Sequence, residues 1–216
     1  QLAANVWTIT PPYAPVITPM TTDPDGNYTI SWDVTGGDTL PDKFELQEMT
    51  GVAVVTDGAE SGSGNWNMSN FSITNAQHQS GLYSFYSGQG DNYHATMALA
   101  APVNVTGPMN LTFYIRYDTE VGYDYAYVEV STNGYSYTTL ATFNGFSNWA
   151  AKSYSLNSYI GQQIFIRFRY DTDVYISNPG VWIDQIYPVQ TFANIVTLSN
   201  NITGYSYDVT GRTPGT

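Results

Sequence analysis

The 216-residue chain has 18 acidic and six basic residues, a formal net charge of −12, and no cysteine. The negative charge argues against a nucleic-acid partner because it repels phosphate backbones, whereas it suits divalent cations. The lack of cysteine excludes disulfides, thiolate metal sites and a cysteine nucleophile.

The rest of the composition predicts an all-β, extracellular protein. Aromatic residues make up 15% of the chain, including 19 tyrosines, and only 11% of residues are charged. Tyr, Thr, Val and Ile favour strands, whereas Gly, Asn, Pro and Asp interrupt them. No window of ten residues carries the stripe of an amphipathic helix, and no segment is long and apolar enough to cross a membrane. Few lysines and many Tyr, Asn and Thr favour a secreted or cell-surface location.

The N-terminal part combines an apolar arm, a proline-rich segment and short strands. Residues 1–11 form the predicted arm, and the prolines that follow impose the extended geometry of an edge strand. In residues 28–33, the side chains of Tyr28, Ile30 and Trp32 share one face of a strand. A further strand is predicted at 44–48.

The most regular alternation in the chain lies in Leu111–Ser131. Both halves of this stretch alternate apolar and polar residues with a period of two, and an acidic, glycine-containing loop separates them. Residues 116–121 (RYDTEV) are echoed by residues 169–174 (RYDTDV). We expect a β-sandwich built around two strands that each end in a carboxylate-bearing loop.

Short segments at both ends of the chain share a resemblance. The N-terminal segments are Ala14–Ile17, Thr29–Trp32 and Phe44–Glu48, and a related sequence resumes within residues 191–211. Together they resemble a fibronectin type III domain. The resemblance implies a split domain of residues 12–56 and 189–216 that lacks its last two strands.

The intervening residues 57–188 carry a second resemblance. Its segments are Asp57–Trp66, His78–Ser84, Ser87–Asn92, the alternating stretch at 111–131, Ile160–Phe168 and Gly180–Ile186. They resemble, in the family's order, the jelly-roll domain of secreted immune inhibitor A-type metalloproteases and, more distantly, MAM domains. The resemblance implies a jelly-roll β-sandwich inserted into the incomplete fibronectin type III-like β-sandwich.

One acidic set is a candidate calcium site. Asp57 and Glu60 lie at the first strand of the insertion, Asp91 lies in a glycine-rich turn, and Asp184 lies on the last strand. The first and last strands of a sandwich can be neighbours, and Ca²⁺ takes six to eight oxygen ligands. The resembled domains often hold a structural calcium with matching residues, although Gln185 stands where that family has a second acidic residue. The alternative is that these are turn and cap residues that bond their own backbone.

A second acidic set lies in the two echoed loops. It consists of Asp118, Glu120, Asp124, Asp171 and Asp173. These carboxylates would repel one another unless a cation or the arginines Arg116, Arg167 and Arg169 neutralise them. Both a cation site and an arginine–carboxylate network therefore remain open. The motif Asp23, Asp25 and Asn27 lacks the distant glutamate of a calcium loop and is predicted to be a turn.

The chain offers little support for catalysis. It has neither the His-Glu-x-x-His helix of the resembled proteases nor a Gly-x-Ser-x-Gly elbow. His78 and His94 are its only imidazoles, and both are predicted to be structural. We therefore expect a protein that is not an enzyme.

The aromatic residues favour either sugar binding or core packing. Trp66, Trp149 and Trp182 could form a stacking platform for a glycan, or they could pack the sandwich. Tyr123, Tyr125 and Tyr127 alternate along one strand and form the expected exposed row. Six Asn-X-Ser/Thr sequons predict glycosylation, at Asn27, Asn67, Asn70, Asn104, Asn110 and Asn201.

The resulting functional hypothesis is a non-catalytic extracellular structural or adhesive module. It could be a subunit of a surface filament or layer that self-associates when the N-terminal arm adds as a strand to a neighbouring copy. The alternative is an accessory calcium- or glycan-binding domain of a secreted hydrolase such as a metalloprotease, which would contact neighbouring domains.

Overall fold

The computed structural model describes residues 15–18, 25–34 and 40–212. This part of the chain is nearly all β, with a single 3-10 turn at Asn157–Tyr159. None of its helices is long and apolar enough to span a membrane. The strands are β1 (Val16–Ile17), β2 (Tyr28–Asp33), β3 (Phe44–Asp57), β4 (Trp66–Ser69), β5 (Ser72–Thr74), β6 (Ser84–Tyr86), β7 (His94–Leu99), β8 (Val103–Asn104), β9 (Asn110–Asp118), β10 (Tyr125–Ser131), β11 (Thr138–Phe143), β12 (Phe146–Ser155), β13 (Gln163–Asp171), β14 (Gly180–Ile202) and β15 (Ser206–Val209).

The chain divides into two compact units. One comprises Gly51–Ala193, and the other comprises Gln1–Thr50 together with Asn194–Thr216. Both division points lie inside long strands, β3 and β14, rather than in loops. The domain boundaries at 56/57 and 188/189 and the fibronectin type III assignment stay predictions. The predicted arm, residues 1–11, and Asp23 lie outside the described residues.

The larger unit contains two six-stranded sheets. The first has the order β11-β10-β13-β7-β4, with β8 paired to β13. The second has the order β12-β9-β14-β6-β5, with β3 paired to β14. Side chains from both sheets form one continuous buried core, so the sheets pack face to face. The predicted all-β fold with a sandwich is confirmed.

Alternation along each strand decides which side chains enter this core. In β13, Ile164, Ile166, Phe168 and Tyr170 are fully buried, and the residues between them point to the outer face. The Phe168 ring contacts Phe113 of the opposite sheet edge to face, with 5.2 Å between ring centroids. This period of two is the pattern of a strand with one buried and one solvated face.

The stretch Leu111–Ser131 forms β9 and β10, which lie in different sheets. The loop at residues 119–124 therefore crosses from one sheet to the other. The strand β10 begins at Tyr125, so Tyr123 lies in the turn and is 62% exposed. The two echoed segments end β9 and β13, which also lie in different sheets.

The smaller unit has its own core. Its three-stranded sheet has the order β1-β2-β15, and its buried side chains are Trp32, Phe44, Leu46 and Ile202. Trp32 and Phe44 meet edge to face at 5.3 Å between ring centroids. At its turn, the Asn27 backbone N–H donates to Asp25 Oδ1 at 3.0 Å.

Replacing Phe168 should test the packing of the sandwich. Phe168→Ala removes a fully buried ring, so we expect a loss of about 3 to 5 kcal/mol in the free energy of unfolding. Phe146→Ala removes the same side chain from a site that is 63% exposed, and it should cost less than about 1 kcal/mol. Urea unfolding measures both; equal losses would contradict the assigned core.

Candidate functional site

The outer face of the first sheet carries an organised set of polar and aromatic side chains. Pairing of β10 with β13, β13 with β7 and β7 with β4 aligns them in cross-strand rows. The rows are Tyr127, Arg169, Thr96 and Ser69; Glu129, Arg167, Ala98 and Asn67; and Tyr125, Asp171 and His94. Neighbours in such rows have Cβ atoms close enough for their side chains to interact.

Glu129 is the centre of this face. Its side chain is only 4% exposed, although it points away from the hydrophobic core. Its carboxylate accepts from Arg167 Nε at 2.7 Å and from Arg169 Nη2 at 2.9 Å. Burial alone would raise the pKa of Glu129, but the hydrogen bonds and positive charge of the two arginines outweigh it and lower that pKa.

Each guanidinium also stacks on a tyrosine ring. The Arg167 guanidinium carbon lies 3.8 Å from the ring centroid of Tyr137, and that of Arg169 lies 3.9 Å from the centroid of Tyr127. Tyr125 lies beside Tyr127 at 6.1 Å between centroids. Stacking and ion pairing together hold these long side chains in fixed positions.

The network extends along β13 to the edge of the sheet. Arg169 Nη1 also donates to Asp171, and Asp171 pairs with the Nδ1 atom of His94. Arg116, by contrast, donates to Asn148 Oδ1 at 2.6 Å and does not join this network. Of the three arginines that sequence reasoning offered as neutralising groups, two meet carboxylates on the outer face.

A groove of about 730 Å³ opens on the same face. Residues of β4, β7 and β13, of the segments on both sides of β4 and of the segment before β11 line it. They are Ser63, Trp66, Asn67, Met68, Ser69, Phe71, Thr96, Ala98, Gly134, Tyr135, Tyr137 and Arg167. The groove therefore combines aromatic rings, hydroxyl and amide groups and a single guanidinium.

Three carboxylates of the first predicted calcium set accept hydrogen bonds within the fold, and those of Glu60 and Asp184 both bind the loop at residues 79–83. Asp57 accepts from the Ala59 N–H and from the Trp66 indole, and Asp184 accepts from the N–H groups of Gln79, Ser80 and Gln185. Glu60 accepts from the N–H groups of Leu82 and Tyr83, and Asp91 is exposed. The strands that carry Asp57 and Asp184 do pair, as β3 and β14. Calcium binding by this set stays a prediction.

The second acidic set contains the one compact carboxylate cluster in the described part of the chain. Glu120, Asp124 and Asp173 each place one oxygen within 4.8 Å of the others. Asp124 is fully buried and accepts from the Asp173 N–H at 3.1 Å. The Oε2 atom of Glu120 is buried and has no hydrogen-bond partner in the described residues. Three convergent carboxylates with one unpartnered oxygen suit a hard cation such as Ca²⁺.

The titration behaviour of this cluster reflects its crowding. Burial, with added repulsion from Asp173 and then Asp124, raises the pKa of Glu120. Burial and the nearby Asp124 carboxylate likewise raise the pKa of Tyr170, whose hydroxyl lies 3.5 Å from Asp124 Oδ2. The cluster therefore favours binding of a proton or of a cation.

The echoed sequences have matching structural roles around this cluster. The Thr119 hydroxyl accepts from the Gly145 N–H at 2.9 Å, and the Thr172 hydroxyl accepts from the Tyr93 N–H at 2.8 Å. Each threonine thus anchors a neighbouring loop. The residue after each threonine, Glu120 or Asp173, belongs to the cluster.

Of the other predicted site residues, Trp66 and Asn67 lie in the groove lining, and the rest are dispersed. Trp66 and Trp182 are 5% and 8% exposed, so they pack in the structure, and Trp149 is half-buried. His78 is exposed. The sequon asparagines are all exposed, at Asn27, Asn67, Asn70, Asn104, Asn110 and Asn201. Glycosylation at these positions stays a prediction.

Comparison with known proteins gives structural neighbours only. No family model matches the chain, and no curated protein matches it. Among solved structures, TmCBM61 in complex with β-1,4-galactotriose is 14% identical, with a TM-score of 0.45, and the match covers 63% of this chain and 94% of that one. The K3 cleaved adhesin domain of Lys-gingipain from Porphyromonas gingivalis is also 14% identical, with a TM-score of 0.45 and coverages of 64% and 99%. At these scores the matches assign neither a family nor a function.

Replacing Glu129 should test the arginine network. Glu129→Gln leaves two guanidinium groups facing each other, and we expect a loss of about 2 to 3 kcal/mol in the free energy of unfolding. Because the folded-state pKa of Glu129 is lowered, its contribution is present at neutral pH and is lost as pH falls through that pKa. The difference between the variant and the wild type should therefore shrink in acid. Glu48→Gln, in a partly exposed pair with Arg212, is the control and should cost less than about 1 kcal/mol.

Replacing Glu120 should test the carboxylate cluster. The raised folded-state pKa means that Glu120 stabilises the protein at low pH, and that this stability is lost as pH rises through the folded pKa. In chelator at pH 7, Glu120→Gln should therefore melt at a higher temperature than the wild type, and the difference should close in acid. A lower melting temperature for the variant would contradict the described cluster.

The change in melting temperature on calcium addition distinguishes the two acidic sets as cation sites. A cation that binds only the folded protein raises its melting temperature. If the cluster holds the cation, calcium should stabilise the wild type and Glu60→Gln, but should have less effect on Glu120→Gln. If the set around Asp57 holds it, Glu60→Gln should lose the response instead. Differential scanning fluorimetry with and without chelator measures this, and no response in the wild type would argue against both sites.

Proposed function

We propose that the protein is a non-catalytic, extracellular carbohydrate-binding module whose site is the groove on the outer face of the first sheet. The observation that carries this proposal is the composition of that groove. Tyrosine rings, amide and hydroxyl groups and one guanidinium meet in an open groove of about 730 Å³. Sugar rings present apolar faces and a rim of hydroxyl groups, and such a groove offers partners for both.

The arrangement around the groove is fixed before any ligand binds. Tyr137 is stacked on Arg167, and Arg167 is ion-paired with Glu129. Side chains that are already ordered lose little conformational freedom when a ligand binds, which increases affinity. Asn67, Ser69 and Thr96 lie on paired strands, so the sheet backbone sets their spacing.

The groove has the open form that suits a polymer chain. Its lining comes from strands and from the segments that adjoin them, rather than from a closed cavity. A binding role of this kind agrees with the adhesive hypothesis and with the accessory-domain alternative. Self-assembly through the N-terminal arm stays a separate prediction, because residues 1–11 lie outside the described part of the chain.

Substitution of the groove tyrosines tests the proposal. Unglycosylated recombinant protein is used, because a glycan on Asn67 would lie in the groove. Tyr135→Ala should weaken binding to a responsive polysaccharide by about 2 kcal/mol, or roughly thirty-fold, in isothermal titration calorimetry. Tyr137→Ala should have a similar effect. Tyr123→Ala removes an exposed ring outside the groove and is the matched control.

A screen by affinity electrophoresis over neutral and acidic polysaccharides identifies the ligand before these variants are measured. The proposal fails if no polysaccharide retards the wild-type protein. It also fails if the Tyr123 variant loses binding while the two groove variants retain it. Thermal melts of each variant establish that the variant is folded.

A further inference from the structure

Arg167 brings a positive charge to the groove. In the described part of the chain, it is the one charged residue that lines the groove. The chain as a whole has a net charge of −12 and only six basic residues. A cation at this place within an acidic protein gives the groove a positive group that can attract an anionic ligand.

Two arginines contact Glu129, but they differ in how many of their donors are used. Arg169 donates through Nε and Nη2 to Glu129 and through Nη1 to Asp171. Arg167 donates to Glu129 through Nε alone. The Nη1 and Nη2 groups of Arg167 thus have no hydrogen-bond partner among the described residues. Its side chain is 25% exposed, so a ligand can reach it.

The remaining donors of Arg167 have a defined direction. One face of the guanidinium plane lies against the ring of Tyr137, and the Nε edge is bound to Glu129. The edge formed by Nη1 and Nη2 is left, and it presents parallel N–H groups. A carboxylate has two oxygens at matching separation and accepts such an edge in a bidentate manner.

We propose that the groove selects glycans that contain a uronic acid, and that Arg167 binds the uronate carboxylate. This inference rests on the proposed carbohydrate-binding function. Asn67, Ser69 and Thr96 lie beside Arg167 in the groove lining and can bind the hydroxyl groups of the same sugar or of its neighbours. Glu129 holds the guanidinium in place and neutralises part of its charge, so the site discriminates through geometry as well as through charge.

The experiment compares polyuronates with their own carboxyl-reduced forms. Polygalacturonate, alginate and hyaluronan are each assayed beside the matching neutral polymer, and carrageenan provides a sulfated polymer without carboxylates. Binding is measured by calorimetry and by affinity electrophoresis. For at least one polyuronate, the wild-type protein should bind the acidic form about tenfold or more tightly than the reduced form.

The variants separate the groove arginine from the structural one. Arg167→Gln should abolish the preference for the acidic polymer, whereas Arg167→Lys should retain part of it. Arg169→Gln is the matched control, because Arg169 also pairs with Glu129 and stacks on a tyrosine but does not line the groove. It should keep the preference even if it lowers the melting temperature by as much as Arg167→Gln does.

The outcomes distinguish this inference from the proposed function. Equal binding of acidic and reduced polymers, with loss of both in the Tyr135 variant, would overturn the uronate assignment and leave carbohydrate binding intact. Carrageenan binding as tight as that of the polyuronates would also overturn it, because the site would then recognise any negative charge and not a carboxylate in particular. Loss of the preference for the acidic polymer in the Arg169 variant would show that Arg167 alone does not bind the uronate carboxylate, and would overturn its assigned role. No binding of any polymer would overturn both proposals.

Discussion

The pairing of β10 with β13 places the Glu129 carboxylate between two guanidinium groups, and the outer surface of the sheet depends on that arrangement. A carboxylate that is almost fully buried is costly unless it is paired and hydrogen-bonded. Here the two arginines meet that cost, and their planes then order two tyrosine rings. The position of Tyr137 at the groove follows from the position of Arg167, which follows from Glu129.

The arginines also explain how an acidic protein can maintain a polar sheet face with few cations. Two of its six basic residues act on one carboxylate, and Arg169 serves Asp171 as well. This sharing leaves the Nη edge of Arg167 without a partner among the described residues. The network is therefore asymmetric: Arg169 uses all three of its donor groups, whereas Arg167, which lines the groove, keeps donors without a partner among the described residues. A purely structural network would gain more from saturating both.

Alternation in the sequence predicted much of the sandwich but little of the groove. The period of two in β9, β10 and β13 is visible in the sequence because each strand buries every second side chain. The contact between Glu129 and Arg167 depends on the register of two strands that are 38 residues apart, which no local pattern encodes. Tyr135 was missed for a similar reason, since it lies in the segment before β11. Of the two alternatives for the tryptophans, core packing describes Trp66 and Trp182, which are buried because their large apolar area favours packing.

The echoed segments show how a repeated sequence can build one site from two strands. In both copies the tyrosine packs inward, the threonine anchors a neighbouring loop, and the following acid joins one carboxylate cluster. The carboxylates of Asp57 and Asp184 differ, because N–H groups already satisfy them. Glu120 instead keeps a buried oxygen that has no hydrogen-bond partner in the described part of the chain. An unpaired buried oxygen is costly, so the folded state gains most from a proton or cation at this end of the sandwich. The repeat therefore builds the place where two sheets bring like charges together, and any cation dependence of stability should be sought there first.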